Sequence, residues 1–317
     1  KPTVRPLEQT RGATLASTRA MSLRGPAGAD PATQELSVLV FPGPLAVLAA
    51  EVDRAGTGGA DPWDAAYGFA LAADLVELSA RADAELDPSA VRDLRVLAWQ
   101  RVVRHSRAPD AGTAADLLAA MRDVEGHTLA EELKARLVRT VVDGQRADGT
   151  WARQSSASLQ RVIVQTAAAA RTLPEDQEGA RIRASGALER TLREVDDPYT
   201  AAVVLASGLV TGFQREHLLG ILEEGITARG HVEFPAGVEN PWGRRPAKAE
   251  LLAWATLALQ DEDLDWKGDL VAELMSGYDA SWGFGAGPAD VLALEAIART
   301  LPGLDRTVDV VLTIDGA

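Results

Sequence analysis

At 317 residues, 46% of them hydrophobic and 25% charged, the chain can bury a substantial core as one large domain or two of medium size. A formal charge of -14 and a pI of about 4.8 exclude the counterion-release binding that holds nucleic acid, and disfavour an anionic membrane surface. With no cysteine, disulfides, thiolate catalysis, Cys-ligated zinc and any thioester are ruled out. In chain order, "KPTVRPLEQT" does not have the pattern of a secretory signal, and no apolar run reaches the roughly 20 residues of a membrane span. Residues 1–42 read as a β-rich flank. "ATLASTRAMSL" and "QELSVLVFPG" carry short β-branched runs, separated by a loop, "GPAGADPAT".

Residues 43–303 read as helical. Ala, Leu, Glu and Arg dominate, and Gly or Pro recurs at the ends of the segments. Helices are predicted near 43–56, 62–83, 87–106, 111–123, 127–143, 155–172, 176–195, 198–210, 214–226, 246–260, 264–275 and 287–300, with an irregular loop at 228–245. Asp61-Pro62, Asp87-Pro88 and Asp197-Pro198 mark three starts, with Pro in the first turn. "TAAAART", "AAVVLASGLV", "ELLAWATLAL" and "DVLALEAIA" are apolar on most sides, so these helices are packed on most sides. "EELKARLVRTVVD" is amphipathic. Alternation of the two kinds predicts an all-α fold in two concentric layers, an α6/α6 toroid; an irregular helical array is the alternative. The closing "RTVDVVLTIDGA" alternates at Val308, Val310, Leu312 and Ile314, and predicts a returning strand over 304–317.

Two loops share a plan. "GQRADGTW" holds Gln145, Asp148, Gly149 and Trp151, and "GYDASWGFG" holds Trp282 and Phe284. Each is a tight turn between helices whose aromatic is expected to fold back over neighbouring helix ends, while the Gln145 amide bonds backbone at a helix end.

The order of segments carries more information than any one of them. "ELSVLVFPGPLAVLAAEV" precedes "DPWDAAYGFALAADLVEL"; then come "QRADGTW", "DDPYTAAVVLASGL", "ENPWGRRPAKAELLAWATLAL" and "WGFGAGPADVLALEAIA". This order resembles the thioester-containing domain of the bacterial alpha-2-macroglobulin and complement family. The last segment is similar to that family's G-G-F-x-S-T-Q-D-T-V-x-A-L-x-A-L hallmark, and the resemblance covers residues 32 to 317. It implies a toroid flanked by CUB-like and macroglobulin domains, in a protein outside the cytoplasm that entraps proteases.

Family members carry P-Y-G-C-x-E-Q at the first long helix, where Cys and Gln form an internal thioester. The matching stretch here is P-W-D-A-A-Y-G. Pro62 keeps its place, Trp63 stands for the Tyr and Asp64 for the Gly. Ala65 falls where the Cys belongs, and Tyr67 and Gly68 fall on the Glu-Gln pair. No thioester can form, and the stretch reads as its remains. His231, in "GHVEF", falls near the family's acyl-transfer histidine, a role that lapses with the thioester.

Other chemistry is thinly represented. None of His105, His127, His217 and His231 are four apart, so no helical metal pair exists, and neither a metal nor a cofactor is expected. Asp261 and Asp265 in "DEDLD" have metal-diphosphate spacing but also suit a helix start. Ser155 or Ser156 reads as a helix N-cap. "ENPWGRRPAK" reads as an exposed loop in which Trp242, Arg244 and Arg245 are candidate contact anchors, or as a loop packed on its own domain. The expected function is a non-catalytic domain taking part in protease entrapment by conformational change. Its partners are proteases or envelope proteins, with neither nucleic acid nor direct membrane insertion. Two alternatives stay open: an envelope scaffold, or an α/α-toroid enzyme on isoprenoid or polysaccharide, using Asp148, Asp261 and Asp265. Apolar stretches such as 250–259 imply a cavity wall without catalytic acids.

Overall fold

The computed structural model describes residues 41, 43–57, 61–82, 87–122, 128–152, 157–226, 235–262, 267–280, 282–285 and 287–300. Twelve α-helices lie among them: α1 (Pro44–Thr57), α2 (Pro62–Ala82), α3 (Pro88–His105), α4 (Ala111–Ala120), α5 (Thr128–Asp143), α6 (Leu159–Arg171), α7 (Glu178–Thr191), α8 (Pro198–Ala206), α9 (Gly212–Ile226), α10 (Lys248–Ala258), α11 (Lys267–Ser276) and α12 (Pro288–Thr300). The fold is all-α. Each predicted helix is present. The expected strands at 1–42 and 304–317 lie outside the described residues, apart from Phe41, as do His127, His231 and Asp265.

The Asp-Pro starts behave as capping chemistry requires. Asp87 accepts from Ser89 N, and Asp197 accepts from Thr200 N at 2.8 Å. Asp61 does the same for Asp64 N, also at 2.8 Å. Several boundaries differ from expectation, those of α6 and α8 among them. α6 starts at Leu159, and its cap is Ser158, which accepts from Arg161 N; Ser155 and Ser156 lie outside the described residues. α8 stops at Ala206, because Gly208 turns into positive φ (66°).

Contacts among the even-numbered helices follow the order α2, α4, α6, α8, α10, α12, and return from α12 to α2. The odd-numbered helices lie against them: α3 on α2, α5 on α4, α7 on α6, α9 on α8, α11 on α10, and α1 on α2 and α3. Composition explains which is which. In α8 every residue from Pro198 to Leu205 is buried, and in α10 every residue from Glu250 to Leu257. α5 buries one stripe, Ala130, Leu133, Leu137 and Val141, and turns its charges outward. Two apolar clusters result. One gathers α4 and α5 with parts of α2, α3, α6 and α7; the other holds α1 and α8 to α12 with the remaining faces.

Candidate functional site

The segment at the start of α2 carries no reactive group and is packed away. Ala65 is fully buried among the α3 and α4 side chains. A side chain added at Gly68 would touch Ala98 and Leu94 of α3 at 3.5 Å. Tyr67 turns to the other side, where its hydroxyl donates to Glu51 at 2.7 Å. Burial raises the Tyr67 phenol well above its usual range, and the Glu51 carboxylate adds to that. From residues 62–68 it is Trp63 that reaches a cavity.

That cavity, of about 190 Å³, opens between α4 and α6, which touch each other less than the other neighbouring even-numbered helices do. Four of the seven tryptophans line it: Trp63, Trp151, Trp242 and Trp254. Trp63 Nε1 and Trp242 Nε1 both donate to Asp116 Oδ2, at 3.0 and 3.1 Å. The two rings stand edge to face, 5.9 Å apart and inclined at 87°. Trp151 is buried behind them and donates from Nε1 to Val141 O at 2.7 Å. Arg171 places its guanidinium 5.3 Å from the Trp254 ring centre and turns both terminal nitrogens onto Glu295, at 3.0 and 2.5 Å.

Trp242 is delivered by a loop that is fastened down, in keeping with the reading of "ENPWGRRPAK" as a loop packed on its own domain. Asn240 is buried, donates to both oxygens of Glu250 (3.2 and 3.1 Å), and accepts from Trp242 N and Arg244 N. Gln160 accepts from Glu239 N at 3.1 Å, and Gln165 donates to Pro241 O at 2.6 Å. Gly243 suits the turn because its φ of +77° lies in the left-handed region that favours glycine. Burial pushes the Glu250 carboxyl upward despite these donors. Arg244 and Arg245 are exposed, and Arg244 stacks 5.5 Å from the Trp63 ring centre.

The two marker loops diverge. In the first, Gln145 Nε2 donates to Gly149 O and Ala180 O, so the amide ties its own turn to the first turn of α7. Asp148 is exposed and caps the turn through Thr150. In the second, the aromatic that folds inward is Phe284, 2% exposed, while Trp282 is 69% exposed. Of the two aromatics singled out in this loop, Phe284 is the one that folds back, and its N donates to Asp290 at 2.6 Å.

The expectation of a cavity wall without acids is also corrected, because α4 brings Asp116 and Asp110 to it. Asp116 left a signal in the sequence: it is the one charged residue in "AGTAADLLAA". Asp148 and Asp261 are exposed and do not line the cavity. Among the described residues no three His, Asp or Glu side chains gather as a metal set, and no helix is long and apolar enough to cross a membrane. Neither a family model nor a curated protein matches the chain.

Proposed function

We propose that the chain is an α6/α6 toroid serving as the thioester-less, non-catalytic domain of an alpha-2-macroglobulin-like protein. Its part is protease entrapment by conformational change. The return of the even-numbered helices from α12 to α2, with odd-numbered helices outside them, supports the toroid. The fate of residues 62–68 carries the functional reading. The segment that resembles the thioester helix caps, packs and lines a cavity, yet offers Ala65 and Gly68 where the bond would need Cys and Gln. In this reading CUB-like and macroglobulin neighbours flank the domain, the whole acts outside the cytoplasm, and capture needs no cofactor.

An enzyme acting on isoprenoid or polysaccharide fits less well. Pockets for such ligands run to about 300–1,000 Å³, and this cavity is smaller. Its central carboxylate also binds two indoles, where a catalytic acid would face substrate. The test is to mix the full-length protein with a broad-specificity protease, follow its shape by small-angle scattering, and look for protease retained without a bond that survives denaturation. Compaction with non-covalent retention is expected. An unchanged shape, with an envelope protein co-purifying instead, would replace the trap with a scaffold.

A further inference from the structure

We infer that the tryptophan-lined cavity is a receptor for a compact organic cation, an alkylated ammonium group with a small apolar body. The inference goes beyond the trap reading and does not depend on it. Size sets the first limit. At about 190 Å³ the cavity is a little larger than the roughly 150 Å³ engineered cavity that holds benzene, so it admits one compact group or one side chain and no extended ligand.

The lining sets the chemistry. Trp63, Trp242, Trp151 and Trp254 surround the space, and indole is the best aromatic partner for a cation. Asp116 strengthens that character in two ways. It binds both indole N–H groups, which fixes the Trp63 and Trp242 rings before any ligand arrives. A carboxylate accepting from an indole N–H also pushes electron density toward the ring, which favours a cation against it. The molecule already uses these rings this way, with Arg244 over Trp63 and Arg171 over Trp254.

Charge points the same way. Of the ionisable residues lining the cavity, Asp110 and Asp116 are acidic and Arg171 is basic, with both its terminal nitrogens turned onto Glu295, which it shares with Arg122 and Arg299. The surrounding chain carries -14, so a cation is drawn in and an anion repelled. Such a cation could be a free quaternary amine or an alkylated lysine of a protein partner, and the test separates these sources.

The probe is choline, titrated into the intact chain by calorimetry and tryptophan fluorescence. It is compared with its uncharged isostere, in which a tert-butyl group replaces the trimethylammonium. Choline is expected to bind at least about tenfold more tightly than the isostere. Asp116→Asn, which keeps the shape and can still accept from the indoles, should weaken choline while leaving the isostere unchanged. Trp242→Phe should weaken both partly and Trp242→Ala strongly; thermal melts of each variant report whether the fold is retained. A trimethyl-lysine peptide, with its unmethylated form as control, is the second arm. A stronger peptide points to a protein partner and stronger choline to a free amine, and either supports the receptor. Equal binding of choline and the isostere, or binding of neither choline nor the peptide, overturns it.

Discussion

Glu295 shows how much one residue decides in this core. It projects from α12, and Arg171 of α6, Arg122 just beyond α4 and Arg299 of its own helix all reach it. Burial alone would push its carboxyl upward. Arg171 and Arg122 overcome this and hold it at about 2, against an ordinary 4.5. The folded value lies below the unfolded one, so the stabilisation is complete above about pH 4.5 and is lost as pH falls toward 2. Glu295→Gln should therefore cost roughly 2–3 kcal/mol near neutral pH. In urea melts its deficit relative to the natural chain should shrink steadily through that acid window. A deficit independent of pH would assign the effect to packing. Glu295 and Asp116 show what sequence reading misses. Each is an acid set in an apolar stretch, conspicuous in one dimension, but nothing along the chain names its partners. Asp116 is 53 residues from Trp63 and 126 from Trp242.

At the scale of elements, the hairpin of α8 and α9 makes a sharper prediction. Two glycines lie in the second half of α9. A Cβ at Gly220 would meet nothing within 4 Å, whereas one at Gly225 would fall 2.4 Å from Cβ of Pro198, at the start of α8. Gly220→Ala should stabilise by up to about 1 kcal/mol, the ordinary gain in a helix interior. Gly225→Ala should do the reverse and cost about 2 kcal/mol or more, because α8 and α9 must part. Opposite shifts of the denaturant midpoint would confirm the close approach. The helices themselves were legible because their signals are local: Asp-Pro caps, apolar or striped faces, and a Gly or Pro at the ends. What stayed open was also local in kind. The second marker loop offers two aromatics two residues apart, and Phe284 turns inward instead of Trp282 because Asp290 holds its N–H. The cap of α6 went to Ser158, the last serine of "SSAS", where three serines were equally suited by chemistry.

For the whole molecule, packing is uneven around the even-numbered helices. α8 and α10 bury most of their side chains, whereas α4 and α6 leave the cavity between them. Amide exchange should follow that contrast. Protection should be highest in α8 and α10, and lower around Ala111–Ala115 and Ala168–Thr172. Choline should raise it at the latter two segments and leave α8 unchanged; uniform protection would contradict the uneven packing. The alternation of buried and striped helices made the helical content and the most buried helices legible. The gap between α4 and α6 was not, since a cavity depends on how far two helices stand apart, a quantity no sequence window holds.

The seam between the first and last helices has a consequence for synthesis. Glu51 of α1 is fully buried and accepts from Tyr278 at 2.6 Å, while Arg54, one turn on, donates to Asp290 of α12 at 2.8 Å. These pairs span 227 and 236 residues. On the ribosome, which adds about 5–20 residues per second, the amino-terminal charges wait more than ten seconds for the groups that will bury them. Until then Glu51 and Arg54 keep each other company in water, and one edge of α2 lacks the helix that covers it. The nascent chain is thus an open arc, and the stretch carrying Tyr278 and Asp290 is the clasp that closes it.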